Sequence, residues 1–206
     1  MPSIYGLKPK FQALLRPAVR RLAAAGITAN QVTIGALLLS LAAGAAITLT
    51  NDRKRLLLLP IVLSARMALN AMDGMLAREH NQKSPLGAIL NELGDVIADA
   101  VLYLPLALVP GFNPLLLTFV VLLSVLTEMT GVIGVQIGAS RRYDGPLGKS
   151  DRAFVFGFLG LLLGLGVRLE PVIPYVLGVM SLLLVLTIWN RARQALQEVR
   201  AVSSAK

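Results

Sequence analysis

Five oxygen-bearing side chains between Asn70 and Asp99 have the spacing of a shared site. Asn70 and Asp73 are three residues apart, and Asn91, Asp95 and Asp99 follow one another at intervals of four. On helices those intervals place each set on one face. A short polar segment joins the two apolar runs that carry them, so the two faces meet across a loop at a membrane boundary. Carboxylate and amide oxygens grouped in this way suit a hard divalent cation, Mg²⁺ or Mn²⁺. A carboxylate at the edge of hydrocarbon is costly and is by default a functional candidate. The alternative for Asp73 and Asp95 is a structural ion pair or a helix cap.

Asp73-Gly74-x-x-Ala77-Arg78, then eight residues, then Gly87-x-x-x-Asn91-x-x-x-Asp95, resembles the signature of the CDP-alcohol phosphatidyltransferases. That family has a further Asp three residues before the Asp-Gly pair and four Asp positions in all. Here the first is Asn70 and the third is Asn91, a pattern that points to an inner-membrane bacterial branch. The resemblance implies that Asn70, Asp73, Asn91 and Asp95 hold one or two divalent ions against the pyrophosphate of a CDP-linked substrate. It also implies that Asp95 is the general base. Asp95 would take the proton of an acceptor hydroxyl, which attacks the phosphorus next to the lipid and expels CMP. Asn30 and Thr33, in Thr28-Ala29-Asn30-Gln31-Val32-Thr33, match the family segment near the nucleotide. Gly74, Ala77, Arg78 and Gly87 would border the nucleotide and its diphosphate. Each has a plainer alternative: helix packing for the glycines, snorkelling for Arg78 and capping for Asn30 or Thr33. An Asn side chain offers a cation one oxygen and no charge. Two such replacements predict weaker metal binding, or one tightly held ion.

Arg66 precedes Asn70 by one turn, and Asp99 follows Asp95 by one turn. This register predicts an Arg66–Asp99 ion pair beneath the metal site, with Glu92 and Glu128 as competing partners. The segment Ser140 to Arg152 is the other informative stretch. Its Arg141, Arg142, Lys149 and Arg152 would bind an anionic acceptor, such as a sugar or glycerol phosphate, or the diphosphate itself. The alternative is a basic loop retained on the cytosolic side. The lone histidine, His80, reads as a solvated loop residue.

The elements that position these residues are apolar. The chain has 206 residues, 55% of them hydrophobic, and its mean hydropathy is +0.70. That composition is expected of an integral membrane protein. The net charge of +9 is then explained by positive-inside loops and anionic lipid, with no nucleic-acid partner. Without cysteine there is neither a disulfide framework nor a thiolate site. No signal-peptide pattern is present at the N-terminus. The expected fold is all-α, one domain over 1–206. An amphipathic interfacial helix at 8–25 precedes a bundle of six transmembrane helices at 32–189 and a cytoplasmic tail at 190–206. The six spans are expected at 32–50, 56–77, 86–109, 115–138, 152–167 and 172–189. In the first span Gly35, Ser40 and Gly44 are candidates for close helix contact.

Six crossings put both termini on one side, together with the second and fourth loops. That side holds fifteen Lys and Arg residues, including Lys8, Lys10 and Lys206; the opposite side holds Arg53, Lys54, Arg55 and Arg168. The richer side, and with it the Asp-Gly stretch, is therefore cytoplasmic. The function expected from the resemblance is transfer of a phosphatidyl group from CDP-diacylglycerol, or another CDP-alcohol, to a small cytosolic alcohol by a homodimer embedded in membrane lipid. Two rivals stand beside it. One is a family member that lost catalysis through Asn70 and Asn91 and serves as a binding or scaffold protein. The other is a small transporter using Arg66, Asp95, Asp99 and Glu128 as an ion path.

Overall fold

A computed structural model describes residues 7–50 and 52–204. Asn51 and Lys206, and the side chains of Lys8 and Lys10, lie outside the described residues. The chain folds into α1 (Leu7–Ala24), α2 (Ala29–Leu49), α3 (Leu58–Glu79), α4 (Pro85–Tyr103), α5 (Pro114–Gln136), α6 (Lys149–Gly164) and α7 (Ile173–Ser204). Short 3₁₀ turns, Arg53–Leu57 and Leu104–Leu108, lead into α3 and out of α4. The described residues contain no β-strand.

Local chemistry sets the helix ends. Gly26, at φ 74°, makes the turn after α1 that a side chain would strain. Thr28 then caps α2: its hydroxyl accepts from the Gln31 N–H at 3.3 Å, and Gln31 Oε1 accepts from the Thr28 N–H at 2.9 Å. Asn30, the other capping candidate, lies inside the helix. Ser84 accepts from the Gly87 N–H at 2.9 Å, and Pro85 occupies the first position of α4, where a missing N–H costs nothing.

Two boundaries differ most from expectation. The third span was expected to run to residue 109, but α4 ends at Tyr103 and the Pro105 segment continues as a 3₁₀ turn. The sixth was expected to stop at 189 and release a tail, but α7 continues to Ser204. The residues after Trp189 are mostly good helix formers. Arg191 and Ala195, 1% and 3% exposed, also tie that extension to the rest of the fold.

Four stretches are long and apolar enough to cross a membrane: Ala29–Leu49, Arg53–Glu79, Pro114–Gln136 and Ile173–Ser203. Helix α4 carries Glu92, Asp95 and Asp99, and α6 has only 16 residues, so neither has the composition and length of an ordinary span. Large apolar side chains such as Leu115, Leu182 and Trp189 remain exposed around the bundle, as lipid-facing residues do. The protein is integral to a membrane.

Helix α2 packs against both α3 and α4, while α3 packs on α6 and α5 on α7. Between α2 and α4 the approach is close enough that a Cβ on Gly44 would collide with the Val101 carbonyl. A Cβ on Gly160 of α6 would lie 2.9 Å from the Leu56 carbonyl and Leu59 Cβ. Gly35 has open space instead and is not part of a close contact. The apolar core includes Ile47, Leu59, Leu102, Leu117 and Leu177, with Tyr103 stacked on Phe156 at a centroid distance of 4.0 Å. A second cluster joins Val19 of α1 to Met75 and Leu76 of α3. Helices α3 and α4 hardly approach one another backbone to backbone. Polar side chains span the gap between them.

Candidate active site

Three contacts join the polar faces of α2, α3 and α4. The Thr33 hydroxyl donates to Asp73 Oδ2 at 2.8 Å. The Asn70 amide donates to Asp95 Oδ1 at 3.0 Å. Asn30 Oδ1 lies 2.7 Å from the place a Cβ on Gly87 would occupy, so a side chain there would push that amide aside. Asp73 is 5% exposed and within electrostatic reach of Asp95 and Lys149. The Arg78 guanidinium folds over Gly74, with Nη1 and Nη2 each 3.1 Å from its open Cβ position. Arg78 itself is exposed, Asn91 is half-buried, and Ala77 packs on the Val19–Met75 cluster. His80 closes α3 and its N–H bonds the Leu76 carbonyl.

Below and beside these residues lie an ionic network and a smaller, separate group of ion pairs. Lys149, the first residue of α6, places Nζ 2.5 Å from Asp95 Oδ1. Arg66 donates to Asp99 Oδ1 at 2.9 Å, and its other terminal nitrogen lies 3.7 Å from Asp95 Oδ1. Arg152, one turn after Lys149, donates to Asp99 Oδ2 and to Glu128 Oε1, both at 3.1 Å. Glu128 Oε2 accepts from Arg141 at 3.0 Å and from Arg191 at 3.3 Å. Arg141 also grips Glu92 with two bonds of 2.9 Å. Arg142 donates to Asp144 at 2.8 Å and to Glu198 at 2.7 Å. The cations Arg66, Arg141, Lys149, Arg152 and Arg191 thus face the carboxylates Glu92, Asp95, Asp99 and Glu128, five against four, while Arg142 with Asp144 and Glu198 forms a separate group. Burial works against a charge on Arg141, yet Glu92 and Glu128 hold its guanidinium above the ordinary arginine range.

The Arg66–Asp99 contact has the register read from the sequence; the competing carboxylates, Glu92 and Glu128, pair with Arg141 instead. The four cations expected to meet an anionic acceptor each have a partner within the chain. Arg141, Arg142, Lys149 and Arg152 all hold carboxylates of this chain, and Arg152 is 1% exposed, buried within the bundle. Sequence reading missed Lys149 as the partner of Asp95, Glu128 as a hub of three guanidinium groups, and Arg191 altogether. One signal was present: Lys149 and Arg152 repeat at three residues what Asp95 and Asp99 repeat at four, so two turns of cations face two turns of carboxylates.

Among the described residues, no group of three or more His, Cys, Asp or Glu is placed to hold a metal ion. The donor set on α3 and α4 is instead two carboxylates, Asp73 and Asp95, with the amide oxygens of Asn70 and Asn91. All four are hard oxygen donors, which fits a Mg²⁺- or Mn²⁺-type cation with half the negative charge of four carboxylates. The Asn70 hydrogen bond and the close approaches of Arg66 and Lys149 are to Asp95 Oδ1, and no hydrogen bond to Oδ2 is present among the described residues.

A family model, CDP-alcohol phosphatidyltransferase, matches residues 26–195. The chain is 46% identical over 194 residues to the inner membrane protein YnbA of Escherichia coli (strain K12), covering 94% of this chain and 96% of that one. It is 34% identical over 102 residues to an archaetidylinositol phosphate synthase of Pyrococcus horikoshii, covering 50% of this chain and 52% of that one.

Proposed function

The chain belongs to the CDP-alcohol phosphatidyltransferase family, and on that premise we propose that it transfers a phosphatidyl group from CDP-diacylglycerol to a small alcohol and releases CMP. The observation that carries the reading is the Asn70–Asp95 bond, with Thr33–Asp73 beside it: together they put the motif residues of α2, α3 and α4 into one polar site. The acceptor O–H attacks the phosphorus next to the lipid. A new P–O bond forms, the P–O bond to CMP breaks, and the acceptor proton passes to Asp95, whose Oδ2 carries no hydrogen bond among the described residues. Asn30 and Thr33 border the nucleotide, Arg78 meets the diphosphate, and Gly74 and Gly87 keep the backbone approachable. Asn70, Asp73, Asn91 and Asp95 would hold a divalent ion, whose charge would offset that of the diphosphate.

In this reading α4 and α6 cross the bilayer beside the four more apolar helices, their charged residues turned into the bundle and matched there. Helix α1 lies at the interface, with exposed Phe11 and Leu14 toward lipid. The excess of Lys and Arg supports a cytoplasmic position, at the inner membrane, for both termini and the site. The working unit is a homodimer.

Asn70 and Asn91 favour a second reading, a family member that binds the nucleotide lipid without turning it over. Purified protein incubated with CDP-diacylglycerol, divalent cation and a panel of alcohols separates the two. Release of CMP with a new lipid identified by mass supports the enzyme. Binding of CDP-diacylglycerol without CMP release supports the scaffold. The paired charges disfavour a transporter: the cavity among Asp99, Tyr103, Glu128 and Arg152 has a volume of only about 10 Å³.

A further inference from the structure

We infer that the acceptor alcohol carries no net negative charge, because Glu128 already occupies the guanidinium cluster that a phosphorylated acceptor would need. The inference rests on the transferase reading and names the substrate class for that site. Glu128 is 9% exposed and takes hydrogen bonds from Arg141, Arg152 and Arg191 at 3.0, 3.1 and 3.3 Å. Three guanidinium groups converging on one small anion are what a phosphomonoester recognises. Here the chain supplies the anion itself. Other donors of these arginines are also engaged, while the buried Arg152 Nε has no hydrogen-bond partner among the described residues. Arg141 is bidentate on Glu92, Arg152 reaches Asp99 and Thr127, and Arg191 donates to the Thr127 and Asp144 carbonyls.

An arriving phosphate has two options. It can remain outside a network in which each guanidinium already holds a carboxylate of the chain, or it can eject Glu128 and leave a buried carboxylate without partners. Both are unfavourable. An alcohol with no phosphate, either an uncharged polyol or a zwitterionic amino alcohol, asks for neither. The same cations that read from sequence as an anion trap therefore discriminate against anions once they are paired.

The experiment uses the full chain in detergent or nanodiscs with CDP-diacylglycerol. It compares acceptors as matched pairs, glycerol with glycerol 3-phosphate and inositol with inositol phosphate, together with serine. The unphosphorylated member is expected to have the higher kcat/KM, by about tenfold or more, where each factor of ten corresponds to about 1.4 kcal/mol. Preference for the phosphorylated member overturns the inference while leaving the transferase reading intact. A second arm needs no turnover. Millimolar inorganic phosphate is expected to give the wild type no rise in Tm that depends on Arg141, and to stabilise Glu128→Gln, in which the cluster has lost its anion. If Glu128→Gln does not fold, Glu92→Gln opens one edge of Arg141 and is expected to gain a weaker stabilisation. A phosphate-induced rise in the wild type that Arg141→Gln removes overturns the inference, as does a folded Glu128→Gln that phosphate leaves unchanged. Failure of every acceptor to release CMP counts against the transferase reading instead, and the phosphate arm still decides on the closed cluster.

Discussion

Lys149 Nζ lies 2.5 Å from Asp95 Oδ1, so the carboxylate expected to act as base is also the one that anchors the start of α6 to α4. The same oxygen accepts from Asn70 at 3.0 Å and lies 3.7 Å from an Arg66 nitrogen. Two positive groups therefore crowd a site that holds only two carboxylates of its own, Asp73 and Asp95. An ammonium at that distance competes directly with a divalent cation for Asp95.

Metal affinity should follow that competition. Lys149→Ala is expected to tighten Mn²⁺ binding by about tenfold or more, ~1.4 kcal/mol for each factor of ten. Asn70→Asp is expected to act in the same direction by adding a charged ligand. Electron paramagnetic resonance of free Mn²⁺ during titration reads both, independently of turnover. Unchanged or weaker binding in both variants would show that these residues do not adjoin a metal.

Asp95→Asn tests the base. The amide keeps the volume and an oxygen at Oδ1, but it takes up no proton from the acceptor. CMP release is expected to fall by about 10²–10⁴-fold. The thermal transition should persist, because Arg66 and Arg152 retain Asp99. Full activity in this variant would remove Asp95 from the chemistry.

Much of the scaffold could be read from residue order, and the reasons are local. Apolar runs, Thr28, Ser84 before Pro85, and Gly26 mark helices and their ends with interactions only a few residues long. The Asp-Gly motif and the register of Arg66 against Asp99 were legible for the same reason: both follow from helix periodicity. What could not be read was the pairing of side chains brought together by packing. Glu128 receives Arg141, Arg152 and Arg191, which stand 13, 24 and 63 positions away, and no spacing rule links them. The length of α7 escaped for a related reason. Hydropathy falls after Trp189, yet buried Arg191 gives the helix a tertiary reason to continue.

The buried network should dominate stability. Asp99, 5% exposed, is shared by Arg66 and Arg152. Asp99→Ala leaves both guanidinium groups short of a partner in the interior, a loss of about 3–5 kcal/mol. Arg152→Met removes one cation from the same region and strands part of Asp99 and Glu128. The double variant is expected to be less destabilised than the sum of the two, because the surviving imbalance is smaller. Thermal unfolding in detergent of the two single variants and the double variant measures the coupling. Strict additivity would mean that the two residues do not act as a pair.

Helix approach gives the last prediction. At Gly44 a new Cβ would meet the Val101 carbonyl, which belongs to the backbone of α4 and cannot rotate aside as a side chain would. Gly44→Leu must therefore push α2 and α4 apart, at a cost of about 1–3 kcal/mol or more. Because Thr33 and Asn30 sit on the same α2 that positions them against Asp73 and Gly87, the displacement should reach the site. The expected result is a lower Tm together with weaker binding of CDP-diacylglycerol. Gly35→Leu, whose Cβ would meet open space, should leave both nearly unchanged. If the two substitutions behave alike, close packing of α2 on α4 is not what holds Asn30 and Thr33 in place.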